Sequence, residues 1–386
     1  MLYLTPGVFD KGGISRYNRS QIAALRELMG PQQVKVLARR GPTGTENDLE
    51  APFAVDWHGD GEALTWSTKS AFAREAIRTA LKQKPDVIWS GHVRFSTLAW
   101  LIARLVGAAA VLQTYGHEVW TPARFRPDTR WGFRLCDYVV SDSHFTAEYI
   151  EKEGLRPAGS VEFMWDCVDI DVFFPAVPNP AVRARYGIPD PATSFNILTL
   201  GRLMTFTTYK GYERLLEVLP RLPKHSRLIY GGGGDLTPRL QARARLLGVA
   251  DSVVFTGYID EADLPDVYRS ACVFSLVGDR GPGRGEGIPL TPLEAAACGI
   301  PILVGNQDGS REAVEQGVSG FALDPFDLEG IAEHLRRLAA DELYRRQLGG
   351  AARARIEREH SYPVFCERMR RLLDKLGAYR NSRNKR

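Results

Sequence analysis

Short apolar runs alternate with amphipathic stretches along nearly the whole chain. Residues 2–5, 34–37, 87–89, 110–114 and 138–141 are brief, mostly apolar segments, the pattern of strands buried on both faces of a parallel sheet. Between them, 15–29, 68–83, 96–106 and 144–152 repeat apolar residues at helical spacing. A second series follows, with strands at 196–200, 227–230, 252–256, 273–276, 301–304 and 320–323. Helices near 211–220, 236–247, 262–269, 292–297, 311–316 and 327–340 alternate with these. Strand–helix alternation of this kind predicts an α/β protein with parallel sheets covered by helices. Pro175, Pro178, Pro180 and Pro189 punctuate the stretch between the two series, which reads as a linker. The chain therefore divides into two Rossmann-like, doubly wound lobes, 1–175 and 176–360, facing across a deep cleft at their sheets' carboxyl ends. A helix within 361–378 has no strand left to cover, and 379–386 is a basic tail.

Composition changes this picture little. A length of 386 residues supports two domains, and 44% hydrophobic with 25% charged residues is ordinary for a globular protein. No apolar run reaches the ~18–20 residues of a membrane-spanning helix. Met1-Leu2-Tyr3-Leu4-Thr5-Pro6 enters the fold without a basic-then-apolar leader. The five cysteines, 136, 167, 272, 298 and 366, are scattered without metal-ligand spacing and read as reduced thiols of a cytoplasmic protein. A net charge of +4 is too small to imply nucleic acid as a partner. Residues 124–134 interleave arginines with aromatics, which suits either peripheral docking on anionic headgroups at the inner face of a membrane or a solvated loop and helix start.

The most informative chemistry lies in Gly285-Glu286-Gly287-Ile288-Pro289-Leu290-Thr291-Pro292-Leu293-Glu294. Pro289 and Pro292 forbid one continuous helix through both glutamates. Thr291 reads as the N-cap of a new helix, Pro292 as its first residue and Glu294 as the partner closing a capping box. Glu286 then sits on a glycine loop just before a helix N-terminus, whose free N–H groups and dipole suit a phosphate. The alternative is a plain capped helix behind a solvated loop glutamate. Elsewhere, Gly201-Arg202 ends a strand and Lys210-Gly211 opens the following helix. Two cations there suit a diphosphate leaving group. Gly12-Gly13 forms the first strand-to-helix turn, where backbone can approach a phosphate or an acceptor. Gly231-Gly232-Gly233-Gly234-Asp235 is a glycine-rich turn lacking full dinucleotide-binding spacing. Asn306-Gln307-Asp308-Gly309-Ser310 precedes another helix, with Ser310 as its cap.

The stretch from Glu286 to Glu294, continued by Ala295-Ala296-Ala297-Cys298-Gly299-Ile300-Pro301, resembles the E-x7-E signature of retaining glycosyltransferases of family 4, which have the GT-B fold. It departs from the family at Ile288 and Pro289, where an aromatic and a further glycine are common. The resemblance implies that Glu286 meets donor-sugar hydroxyls and Glu294 the ribose. Gly287, Ile288, Pro289 and Leu290 would line the donor. It likens Arg202 and Lys210 to the diphosphate contacts, and His117, in Tyr115-Gly116-His117-Glu118, to a histidine approaching sugar and diphosphate. Tyr258, in Thr256-Gly257-Tyr258, falls where the family holds the base. Asp169-Ile170-Asp171 matches a metal-binding D-x-D in spelling only, and no metal or cofactor is expected.

The implied reaction is retaining, metal-independent transfer from a nucleotide-diphosphate sugar to a hydroxyl of a glycan or lipid-linked glycan, in cell-surface polysaccharide synthesis. A UDP-sugar is the first expectation for the donor and GDP-mannose the second. The catalytic set is Glu286, His117, Arg202 and Lys210. Two rivals stay open: a GT-B nucleotide-sugar epimerase, and a non-catalytic nucleotide- or lipid-surface-binding protein.

Overall fold

A computed structural model describes residues 1–9, 12–42, 53–59, 65–116, 118–120, 127–281 and 283–383. The described chain forms two units, Met1–Cys167 with Tyr362–Arg386, and Val168–Ser361.

The first unit runs β1 (Leu2–Thr5), α1 (Gly13–Met29), β2 (Lys35–Ala38), β3 (Trp57–His58), α2 (Trp66–Gln83), β4 (Val87–Ser90) and α3 (Ser96–Val106). It continues through β5 (Ala109–Thr114), α4 (Pro127–Leu135), β6 (Tyr138–Ser141), α5 (His144–Lys152) and β7 (Val161–Phe163). The second unit runs α6 (Pro180–Arg185), β8 (Phe195–Leu200), α7 (Tyr212–Val218), β9 (Ser226–Gly231), α8 (Thr237–Leu246), β10 (Val253–Gly257), α9 (Leu264–Arg269) and β11 (Val273–Leu276). Then come α10 (Leu290–Ala297), β12 (Ile302–Gly305), β13 (Gly320–Leu323), α11 (Leu328–Ala340) and α12 (Glu342–Glu359). The last helix, α13 (Tyr362–Arg383), belongs to the first unit.

Both sheets are parallel, in the orders β3-β2-β1-β4-β5-β6-β7 and β10-β9-β8-β11-β12-β13. Each order reverses direction beside its first strand, between β1 and β4 and between β8 and β11. Open α/β sheets bind ligands at such switch points. Apolar side chains such as Leu2, Leu4, Ile88 and Leu112 pack on one face of the first sheet, and Tyr3, Val36, Trp89 and Val111 on the other. Burying one such side chain is worth about 1.5–3 kcal/mol. Tyr3 donates to Asn18 Oδ1 at 2.6 Å, and Gln21 Nε2 donates to Gln113 Oε1 at 2.8 Å. These buried polar bonds fix α1 on the sheet. Phe365, Met369 and Leu372 of α13 join the same core as Tyr17 and Met164, and Tyr362 donates to Glu27 at 3.1 Å.

Several elements differ from the sequence expectation. β3 and β7 are two- and three-residue edge strands, too short to carry a periodic signal. α6 forms inside the proline-rich linker because Pro180 takes the first helical position and Asn179 caps it. α12 was hidden by its Gly349-Gly350 pair and weak amphipathicity. A Cβ on Gly349 would stand 2.0 Å from the Gly299 carbonyl oxygen, so close backbone approach requires glycine there. The expected helix at 311–316 is a 3-10 turn, Gly309–Ala313, capped by Asp308 rather than Ser310.

Candidate active site

The second unit gathers its chemistry at the switch point between β8 and β11. β8 ends at Leu200, and Gly201-Arg202 continues from its carboxyl end. The four-glycine turn after β9 packs against this loop. Leu203 N donates to the Gly233 oxygen at 3.0 Å, and a Cβ on Gly232 would stand 2.3 Å from the Gly201 oxygen. Gly232 also has φ +105, so the turn's glycines answer a steric demand of the Arg202 loop. Arg202 itself is exposed, its guanidinium carbon 5.7 Å from the Phe206 ring centroid.

Lys210 closes a 3-10 segment, Thr205–Lys210, and Gly211 at φ +83 lets the chain turn into α7. A Cβ on Gly211 would meet the Val277 oxygen at 2.3 Å. Asp279 N donates to the Tyr209 oxygen at 2.7 Å. The backbone at Lys210 is therefore pressed against the end of β11. Lys210 Nζ lies 2.9 Å from Glu286 Oε1, and the Tyr209 hydroxyl donates to that same oxygen at 2.9 Å. Burial pulls the Lys210 pKa down, but the Glu286 carboxylate outweighs it, so the ammonium's pKa ends above its ordinary value. Burial, then the Glu286 charge, raise the Tyr209 phenol and keep it a donor. The result is a pre-aimed ammonium, carboxylate and phenol at one sheet edge.

Glu286 is also held through its backbone. Its N–H donates to Asp308 Oδ2 at 2.8 Å, and Gly309 N donates to the Glu286 oxygen at 3.2 Å. A Cβ on Gly309 would stand 1.9 Å from the Gly287 oxygen, locking the loop onto the segment after β12. Asp308 is 0% exposed. Burial pushes its carboxyl up to about 7, the Glu286 and Ser310 N–H groups pulling the other way. Neither Tyr209 nor the structural part of Asp308 had a pattern to reveal it in sequence. A tyrosine beside Lys210 and an aspartate before a glycine are the signals that were present.

At the second glutamate the expected cap is corrected. α10 begins at Leu290, with Pro289 in the N-cap position and no side-chain cap bond. Thr291 and Pro292 lie inside the first turn, where proline's missing N–H removes no helical bond. Glu294 closes no capping box; its Oε2 accepts from the Tyr268 hydroxyl at 2.6 Å, and the residue is 3% exposed. Ile288 and Pro289 are buried, Gly287 is enclosed, and Leu290 is half-buried. Pro289 offers α10 no side-chain cap bond, and N–H groups at such a helix start suit an anion.

Lys210 and Glu286 are thus in direct contact, and Arg202 is near enough to lower the Lys210 pKa by like charge. Glu294 stands apart, bonded to Tyr268. Tyr258 is 57% exposed after β10. In the first unit, Gly12 caps α1, and a Cβ on Gly12 or Gly13 would meet nothing within 4 Å. The fold's packing alone does not demand those two glycines. His117 and residues 124–126 of the basic–aromatic stretch lie outside the described residues. Beside His117, Glu118 Oε1 accepts from Tyr115 N at 2.6 Å, and burial pushes this carboxyl up to about 8. Asp169 Oδ1 accepts from the N–H groups of Asp171 and Val172, an Asx turn that accounts for the D-x-D spelling. Among the described residues, no three His, Cys, Asp or Glu side chains converge on a metal-binding geometry.

Residues 188–355 match the family described as Glycosyl transferases group 1, and residues 11–172 match Glycosyltransferase Family 4. The GDP-mannose-dependent alpha-(1-6)-phosphatidylinositol monomannoside mannosyltransferase of Mycolicibacterium smegmatis is 32% identical, over 89% of this chain and 90% of that protein. A GDP-mannose-dependent monoacylated alpha-(1-6)-phosphatidylinositol monomannoside mannosyltransferase of Corynebacterium glutamicum is 29% identical, over 94% of each chain. Among solved structures, Anabaena HepE in complex with UDP superposes with a TM-score of 0.78 at 17% identity, covering 97% of this chain and 99% of that one.

Proposed function

Since the chain belongs to the group 1 glycosyl transferases of family 4, we propose that it transfers mannose from GDP-mannose to a hydroxyl of a glycolipid built on phosphatidylinositol. The GT-B fold and the use of a nucleotide-sugar donor come with the family. The donor and acceptor are inferred from the mycobacterial and corynebacterial relatives, whose activities combine GDP-mannose with a phosphatidylinositol mannoside. GDP-mannose thereby moves ahead of the UDP-sugar first expected from sequence. The observation that carries the reading is the Lys210–Glu286–Tyr209 contact beside the uncapped N-terminus of α10.

In this reading the second unit binds the donor and the first the acceptor. Lys210 and Arg202 neutralise the charge that grows on the diphosphate as the glycosidic bond breaks, with α10's N–H groups adding preorganised donors. Glu286 exchanges its Lys210 partner for sugar hydroxyls and fixes the ring. Glu294, steadied by Tyr268, meets the ribose. Tyr258 offers an exposed ring and backbone next to the base. The departing phosphate takes the acceptor proton on the face it leaves, which gives retention without a protein nucleophile. Lys210 and Arg202 supply the charge a divalent ion would otherwise bring.

Peripheral membrane docking accompanies this function. α4 buries Phe133 and presses Gly132 onto Ser96, leaving Arg130, Trp131 and Arg134 outward, with Trp131 57% exposed. Leu101 and Leu105 of the neighbouring α3 are exposed as well. Cations flanking apolar side chains suit an anionic lipid surface. No helix among the described residues is long and apolar enough to cross a membrane.

A donor panel tests the reading. GDP-mannose, UDP-glucose and ADP-glucose are each incubated with phosphatidylinositol monomannoside vesicles in EDTA, and free nucleoside diphosphate is measured. GDP release that requires the vesicles is expected. UDP release alone would overturn the donor assignment, and activity only without EDTA would overturn metal independence. Release without acceptor would favour an epimerase-like or hydrolytic reaction.

A further inference from the structure

The carboxyl edge of the first unit's sheet carries a second concentration of charge. Arg39 and Arg40 follow β2, their N–H groups donating to the oxygens of Thr5 and Pro6 at 2.9 and 3.0 Å. His92 and Arg94 follow β4, across β1, at the switch point of that sheet. Arg39 is half-buried, its guanidinium carbon 5.3 Å from the Phe95 ring centroid. Its Nε is enclosed without a hydrogen-bond partner among the described residues, as are those of Arg26, Arg156 and Arg183. Elsewhere enclosed guanidinium groups meet carboxylates, as in Arg26 with Asp56, Arg214 with Asp279, Arg269 with Asp266 and Arg355 with Glu359, or backbone oxygens, as Arg156 does at Phe133 and Cys136. Among the described residues, neither Arg39 nor Arg94 forms such an ion pair; the buried Glu118 carboxyl is near enough to feel the Arg94 charge, but burial raises its pKa to about 8 and keeps it largely protonated.

His92 completes the group. Its Nδ1 accepts from Arg94 N at 3.2 Å, so the neutral ring carries its proton on Nε2 and offers it as a donor. Burial and the charges of Arg94, Arg39 and Arg40 push the His92 pKa down to about 3, so the ring stays neutral at physiological pH. Burial and the charges of Arg40 and Arg94 likewise lower the Arg39 pKa. Clustered cations of this kind repel one another, and a bound anion relieves the repulsion. Planar forks from two arginines with an imidazole N–H match the several oxygens of a phosphate.

We propose that Arg39, Arg94 and His92 form a seat for a phosphate ester of the acceptor, with Arg40 adding to its positive field. The proposal rests on the reading of the first unit as the acceptor side, and it names the acceptor group recognised there.

The test compares wild type with Arg39→Gln/Arg94→Gln and with Arg94→Gln alone, the exposed position that endangers folding least. Radiolabelled inorganic phosphate is titrated in saturating GDP, which fills any phosphate seat in the second unit. Sedimentation with phosphatidylinositol–phosphatidylcholine vesicles is run in parallel against phosphatidylcholine alone. We expect phosphate affinity to fall about tenfold or more in the double variant, and less in Arg94→Gln, with GDP affinity unchanged. Weaker binding confined to phosphatidylinositol vesicles would identify the lipid headgroup as the source and also support the site. Equal binding by wild type and both variants in both assays would overturn it. Failure of wild type to bind GDP would instead count against the donor reading.

Discussion

Replacing Lys210 by Ala, or Glu286 by Gln, is expected to lower turnover about 10²–10³-fold, the loss typical for one preorganised charge acting on a transition state. The two variants divide the work differently. In the proposed mechanism Lys210→Ala removes charge that matters most as the diphosphate departs, so kcat should fall with little change in donor KM. Glu286→Gln keeps an acceptor for the Tyr209 hydroxyl but leaves the Lys210 ammonium without its counter-charge. Both side chains of the pair are about four-fifths enclosed, at 18% and 20% exposure. That is less than the burial at which breaking a pair costs about 3–5 kcal/mol, so a loss near 1–2 kcal/mol is expected for Glu286→Gln. The double variant should lose little more activity than either single one, because contacting residues are not additive. Steady-state kinetics beside urea denaturation separates these effects. Single-variant turnover near wild type would remove both residues from the mechanism.

Glu294→Ala should damage both folding and donor binding. The buried Tyr268 hydroxyl would lose its acceptor, at a cost of about 1–3 kcal/mol. For a unit the size of Val168–Ser361 each kcal/mol lowers the thermal midpoint by about 2–4 °C. GDP should bind more weakly as well, through loss of the proposed ribose contact. Thr291→Ala is the control, expected to stay within about 0.5 kcal/mol of wild type because Thr291 caps nothing. If Thr291 were the N-cap, its loss would instead cost about 1 kcal/mol and Glu294→Ala would act through the helix start. Thermal melts with and without GDP distinguish the two accounts.

Much of the architecture was legible because buried parallel strands are short apolar runs between helical repeats. The sheet strands from Leu2–Thr5 to Gly320–Leu323 were readable in this way, apart from β3 and β7. Those two sit at sheet edges, where two or three residues leave no period to detect. At the site, residue type and spacing brought out Glu286, Lys210 and Arg202. The start of α10, between Glu286 and Glu294, lies two residues before the expected Thr291 cap because proline is tolerated anywhere in a helix's first turn. The tertiary partners were invisible for a plainer reason. Tyr209 reaches Glu286 across 77 residues, Tyr268 reaches Glu294 across 26, and Asp308 reaches the Glu286 backbone across 22. Such pairings come from strand order, which local pattern does not encode. No helix cap requires Glu286, yet it anchors Lys210 and Tyr209, so its substitution carries a folding cost too. Arg39 and Arg94, without a carboxylate ion pair among the described residues, likewise emerge as a group only once the sheet order sets Arg39 and His92 on either side of β1.

Transfer with retention is the central claim, and the anomeric configuration of the product tests it most directly. Glycolipid made by the protein from GDP-mannose, whose mannose is α-linked to phosphate, would be read by the one-bond carbon–proton coupling at the new anomeric carbon. An α-mannosidic product formed together with GDP is the predicted result. A β-linked product, or GDP release with no new glycosidic bond, would contradict it.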